Sequence, residues 1–188
     1  FYDAPREART ISADNKVFAP AGPQGLYALD LTSGSQLWHV DSTAFNAAPV
    51  YAGGWVYAGG SDGALYKINA TNGQIAATYS AGSPLNKAIL AAGAYVYAVS
   101  DDGRLHKVDP GTMTATWVYS PGSTVATPPA YSATRDAIIF ATDDLYVHVN
   151  GRWLATTDIP ADKGRYGAFH LLRDASEVAV REVITDTA

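Results

Sequence analysis

"ALDLTSGSQLW", residues 28–38, closes an alternating apolar run on a cluster of small polar residues, restarts, and ends on a tryptophan. Alternation marks a strand with two different faces, and small polar residues with glycine between two such runs are turn chemistry. The stretch reads as a hairpin, and the fold depends on whether it stands alone. It does not. "GLYALDL" at 25–31 returns as "ALYKINA" at 64–70, "RLHKVDP" at 104–110 and "DLYVHVN" at 144–150. The anchoring leucines are Leu26, Leu65, Leu105 and Leu145, so the steps are 39, 40 and 40 residues.

The surroundings repeat with the same period. "WVYAGGSDG" at 55–63 returns as "YVYAVSDDG" at 95–103 and, more loosely, as "AIIFATDD" at 137–144, while "KVFAPAGPQG" at 16–25 stands one period earlier. Each unit of about 40 residues reads as four short strands. In the second copy they are expected at 49–52, 55–59, 65–69 and 74–79. The connections are Gly53-Gly54, Ser61-Asp62-Gly63 and Thr71-Asn72-Gly73. Glycine and asparagine accept the positive φ of tight turns, and aspartate bonds the local backbone. No segment shows sustained helical periodicity.

Four antiparallel strands per 40-residue unit is the pattern of a β-propeller blade. One meander cannot bury both of its faces, whereas radial stacking buries them and protects the edges. Nearly continuous apolar strands such as "WVYAG" and "AIIFA" follow from burial on both sides. The expected architecture is all-β, with a leader or closing segment at 1–8 and four blades over 9–160. The blades are expected at about 9–42, 43–82, 83–122 and 123–160, with "RTISAD" as the first strand of the first. "GAFHLLRD" and "SEVAVREVITD" suggest a partial fifth blade over 161–188. The chain starts at Phe1 and reads as an excerpt of a larger ring.

Composition sets further bounds. The chain has 188 residues, 47% hydrophobic and 16% charged, with 17 Gly and 12 Tyr, which suits one strand-rich domain with a real core. A net charge of −5 without a Lys/Arg-rich run argues against nucleic-acid binding. No apolar run approaches the roughly 18 residues of a membrane helix, so membrane insertion is not expected. The absence of cysteine removes disulfides and thiolate metal sites.

The opening stretch resembles the repeat signature of pyrroloquinoline-quinone-type propellers, Ala-x-Asp-x-x-Thr-Gly-x-x-x-Trp. Ala28, Asp30, Gly34 and Trp38 fall in place, with Ser33 at the threonine. The resemblance covers about residues 9–160 and erodes along the chain. The second copy keeps Asn69 and Gly73 but has Ala77 at the tryptophan. The third keeps Asp109 and Trp117 and lacks the glycine. The fourth shortens its turn to Asn150-Gly151. Read physically, Asp30 accepts bonds from the turn that follows, Gly34 takes the left-handed conformation, and Trp38 wedges between blades. The family's enzymes look like rings of about eight blades with a quinone, a calcium site and a central carboxylate. No carboxylate here matches that role, so the resemblance implies the fold without a cofactor.

Other chemistry is sparse. No P-loop or H-E-x-x-H is present. His39, His106, His148 and His170 fall in different units. His106 takes the slot of Tyr27, Tyr66 and Tyr146 and reads as a packing or blade-surface residue rather than a ligand or base. Asp62, Asp101, Asp102, Asp143 and Asp144 recur at one turn, where a cation-binding acidic rim competes with the plainer reading that aspartate favours turns. Asn69-Ala70-Thr71 matches a glycosylation sequon but coincides with the repeat turn. Tyr51, Tyr79, Tyr119 and Tyr131 lie near strand ends, where recognition and ordinary packing both use tyrosine. The expected function is a non-enzymatic platform for a protein partner or neighbouring subunit. Its setting would be periplasmic, secreted, at the cell surface, or in a virion tail or appendage. A carbohydrate-binding propeller and an excerpt of a quinone-dependent dehydrogenase are the alternatives.

Overall fold

A computed structural model describes residues 9–121, 125, 127–134 and 137–140. The expectations placed on 1–8, on Asp143 to Gly151, on His148 and His170, and on the partial fifth blade at 161–188 lie outside the described residues.

Among the described residues there are strands and turns and no helix. The first sheet is β1 (Ile11–Ala13), β2 (Lys16–Pro20), β3 (Leu26–Asp30) and β4 (Gln36–Val40). The second is β5 (Val50–Ala52), β6 (Trp55–Gly59), β7 (Ala64–Asn69) and β8 (Ile75–Ser80). The third is β9 (Leu90–Ala92), β10 (Tyr95–Val99), β11 (Leu105–Asp109) and β12 (Thr114–Tyr119). A fourth begins with β13 (Ala130–Ser132) and β14 (Ala137–Ile139). Within each sheet the strands pair in chain order and antiparallel, so each is a meander joined by tight turns. Of the second-copy strands, β6 has its expected bounds, β5 and β7 each differ by one residue at their start, and β8 is shifted by one residue at both ends.

The first strands β1, β5, β9 and β13 lie beside one another in sequence order, which stacks the sheets as successive propeller blades. Leu26, Leu65 and Leu105 occupy equivalent positions on the third strands and are 0%, 0% and 1% exposed. The ladder between third and fourth strands shifts register at the same place each time, after Ala28, Lys67 and Lys107. Such a bulge bends the outer strand and raises its twist.

The core is divided among the blade interfaces. Phe18, Trp38, Val56, Ala58, Tyr66 and Ile68 join blade 1 to blade 2. Tyr57, Leu65, Val96, Ala98, Val108 and Met113 join blade 2 to blade 3. Tyr97, Val99 and Leu105 meet Val125, Ile138 and Phe140. Both faces of β6 and β10 are covered, which accounts for their unbroken apolar sequence. Phe45, Leu85 and Val125 are fully buried in the connections between blades, again 40 residues apart.

Candidate functional site at the blade interfaces

The repeat turns are built alike. Asp30 Oδ1 accepts the backbone N–H groups of Thr32 and Ser33 at 3.0 and 2.7 Å. Those bonds, led by Ser33, hold the Asp30 carboxyl below its ordinary range. Asn69 Oδ1 accepts from Thr71 and Asn72 at 2.8 and 3.3 Å, and Asp109 Oδ1 accepts from Gly111 and Thr112 at 2.7 and 3.3 Å. The glycine positions close each turn. Gly34 and Gly73 have φ of 70° and 75°.

What the turns present to the neighbouring blade differs between interfaces. Trp38 is 7% exposed and packs against Phe18 at 5.7 Å between ring centroids. Its Nε1–H donates to Ala70 O of blade 2 at 3.1 Å. A Cβ on Gly73 would lie 2.8 Å from the Trp38 ring, so this turn must carry glycine for steric as well as conformational reasons. Tyr51 completes the cluster, stacking on Phe18 at 6.2 Å and donating its hydroxyl to Asp14.

At the next interface Ala77 and Ala91 stand where Trp38 and Tyr51 stand in the first, so two rings are missing. Two side chains refill part of the space. Met113, at the position of Gly73, is buried and takes a φ of 52°. Lys67, paired across the ladder with Ala77, reaches over the Trp55 ring at 4.6 Å from its centroid. Its Nζ donates to Pro110 O at 2.6 Å, and Pro110 is the counterpart of Ala70. The ammonium thus replaces the indole N–H on the same carbonyl. An open groove of about 320 Å³ remains, lined by Trp55, Tyr57, Lys67, Ala91, Tyr95 and Pro110. In blade 3, Lys107 lies 3.8 Å from the Tyr95 ring centroid, and Trp117 is 39% exposed.

The same interface holds a buried polar chain. His106 is 1% exposed and contacts Tyr79 Oη through Nδ1 at 2.9 Å and Ser100 Oγ through Nε2 at 2.8 Å. Ser100 donates its one proton to Asp102 Oδ1 at 2.5 Å, and Arg104 pairs with the other oxygen of that carboxylate. The Arg104 bond holds the Asp102 carboxyl down at about 2. Ser100 Oγ therefore accepts from His106 Nε2–H, and Nδ1 accepts from the Tyr79 hydroxyl. Burial, reinforced by the charge of Arg104, lowers the His106 pKa below its ordinary value. Although serine, histidine and aspartate meet here, Asp102 bonds the serine and not the imidazole. The arrangement is a structural chain and not a nucleophile with its base.

The other candidate residues have local partners. Asp62 accepts from the Tyr66 hydroxyl at 2.5 Å and the Ala64 N–H at 3.1 Å. Asp101 accepts from Asn86 at 2.7 Å and pairs with Lys87 at 3.6 Å. Among the described residues no three His, Cys, Asp or Glu converge as a metal site. His39 stacks on Tyr27 at 4.1 Å and contacts Gln24 O at 2.6 Å. Tyr79 is spent on His106, whereas Tyr119 and Tyr131 are exposed. Lys67, Ala91 and Met113 were not singled out by the sequence reading. The available signal was the departure of each from its counterpart one period earlier.

A family described as outer membrane protein assembly factor BamB matches residues 22–165. The chain belongs to this family. BamB from Moraxella catarrhalis has the same fold, with a TM-score of 0.60 and 21% identity over 72% of this chain and 42% of that one. The chain thus spans less than half the length of that BamB. The computationally designed Ika4 protein superposes with a TM-score of 0.64 at 17% identity, covering 77% of this chain and 91% of that one. The quinohemoprotein alcohol dehydrogenase from Comamonas testosteroni gives a TM-score of 0.54 at 18% identity, over 60% of this chain and 20% of that one. At these identities the likeness is one of fold. No curated protein matches the chain. The quinone-type propeller repeat and the BamB family describe the same blades.

Proposed function

We propose that the chain is a non-enzymatic module of a larger extracytoplasmic protein, serving as a rigid platform on which other proteins are bound or assembled. The observation that carries this reading is the match of residues 22–165 to the family of an outer membrane protein assembly factor. The geometry is in keeping with it. Stacked blades give a stiff body, and the turns at its ends are held by Asx bonds and glycines. At the turns between second and third strands, Asp62, Asp101 and Asp102 are committed to neighbouring groups, which speaks for scaffolding over carboxylate chemistry. The dehydrogenase alternative has likeness of fold on its side and, against it, the want of a residue in the sequence that matches the family's central carboxylate.

The test has two arms. A photo-crosslinking residue at an exposed turn position such as Asn72 is expected to trap a defined envelope protein in living cells. The purified chain, given pyrroloquinoline quinone, calcium and a panel of alcohols and sugars, is expected to reduce no dye. Stoichiometric quinone binding with turnover would replace the platform reading by the dehydrogenase one, and crosslinks to cytoplasmic proteins alone would overturn the extracytoplasmic setting.

A further inference from the structure

We propose that the interface between blades 2 and 3 is an acid-sensitive joint, which opens locally as His106 takes up a proton while the interface between blades 1 and 2 stays shut. The two interfaces of one chain supply the comparison. At the first, the slot of His106 holds Tyr66, which is buried edge-on against Phe45 at 5.4 Å with its hydroxyl on Asp62. Burial holds that phenol above its ordinary value, so it stays neutral in mild acid. The rings of Trp38 and Phe18 and the bond from Trp38 to Ala70 O close the rest. At the second, an imidazole replaces the phenol at the start of β11. At the other end of β11, beside Pro110, Ala77 and Ala91 in place of two rings leave an open groove of about 320 Å³. Leu65, Ala98 and Val108 form the apolar seal between a wet groove and a titratable side chain.

The groups around His106 set the direction. Tyr79 of β8 faces Nδ1, and Ser100 of the turn between β10 and β11 faces Nε2. Asp102 and Arg104 stand behind Ser100, the connection from blade 2 brings Lys87 to within 3.6 Å of Asp101, and the ladder neighbours Ala98 and Val118 carry no charge. Burial holds Tyr79 up, the Arg104 bond holds Asp102 down at about 2, and that carboxylate holds Arg104 up, so these groups keep their charge in mild acid. A proton on Nδ1 takes away the acceptor of the Tyr79 hydroxyl and places a buried cation beside the Arg104 charge. Both oxygens of Asp102 are already engaged, by Ser100 and Arg104, so no free carboxylate answers it. Opening hydrates the imidazolium and removes both penalties. The open state therefore binds the proton more tightly. Closure is fully favoured above the ordinary histidine value of about 6.5 and is lost as pH falls toward the lowered value of the closed state.

The backbone offers a matched pair of reporters. Asp101 N–H, between Ser100 and Asp102, donates to Pro84 O at 2.8 Å, and its counterpart 40 residues earlier, Ser61 N–H, donates to Ala44 O at 2.9 Å. Each bond ties a blade to the connection that precedes it, Asp101 at the second interface and Ser61 at the first. Amide hydrogen exchange is followed by NMR on the full 188-residue chain, as protection relative to the unstructured rate at each pH. Asp101 should lose about tenfold in protection between about pH 7.5 and about pH 5.5, while Ser61 keeps its own. His106→Gln retains a donor for Ser100 and an acceptor for Tyr79 and does not titrate, so it should abolish the loss at Asp101. If that variant melts early, the imidazole resonances of His106 on the unaltered chain decide instead: a midpoint below about 6.5 is expected, and one at or above it overturns the joint. The joint is equally overturned if Asp101 protection does not change with pH, if Ser61 falls with it, or if the change survives His106→Gln in a stably folded variant.

Discussion

Trp38→Ala removes the indole that joins blade 1 to blade 2. A buried tryptophan withdraws about 200 Å² from water, about 5 kcal/mol at 25 cal/mol/Å². Alanine keeps the Cβ and the neighbours close in partly, while Ala70 O loses a buried donor worth about 1 kcal/mol. The expected net loss is about 3–5 kcal/mol, the range for deleting a large buried aromatic. Urea unfolding followed by far-ultraviolet circular dichroism measures it without relying on the fluorescence of the deleted ring. The mechanism has a sharper test in a double-mutant cycle with Gly73→Ala. In the parent that change combines the strain of φ 75° with a Cβ placed 2.8 Å from the Trp38 ring. Without Trp38 only the backbone strain of about 1–2 kcal/mol remains. The two changes should therefore couple by about 1–3 kcal/mol. A loss below about 1 kcal/mol for Trp38→Ala, or strict additivity in the cycle, would refute the wedge.

Two further outcomes follow from the second interface. Ala77→Trp alone should destabilise by about 1–3 kcal/mol, because Lys67 and Met113 occupy the space it needs, whereas Lys67→Ala/Ala77→Trp/Met113→Gly should recover most of that loss by rebuilding the first interface; equal stability of the single and triple variants would show that the exchange is not compensatory. His106 is held neutral in the folded state, so between its lowered folded pKa and the unfolded value of about 6.5 the unfolded chain binds the extra proton. Stability should thus be full above about 6.5 and fall as pH drops through that window, as melting temperatures from pH 8 to pH 5 would record. His106→Gln should flatten that slope, and a slope unchanged by the substitution would assign it to another group.

The repeat, the strands and the turns were written in the sequence by itself. Their causes are local: alternation sets a strand's two faces, Asx residues with glycine close the turns, and Leu26, Leu65 and Leu105 return at steps of 39 and 40 residues. Burial of both faces of "WVYAG" was legible for the same reason, since a sheet that is apolar on each side must be covered on each side. The contents of the interfaces were not legible. Trp38 meets Ala70 across 32 residues and Lys67 meets Pro110 across 43, each pair on different blades. Nothing in either local stretch says which large side chain will enter which gap. Period-matching lined up Ala77 with Trp38 and left the consequence open, because the lost volume is answered from a neighbouring strand by Lys67 and from the next blade by Met113. His106 shows the same limit: its slot left packing and blade surface both open, and its burial and its bond to Tyr79 exist only once blades 2 and 3 are stacked. Local chemistry determined the blade. Packing between blades, where interiors are close-packed and every missing ring must be filled or left as a groove, decided where this chain departs from its own repeat.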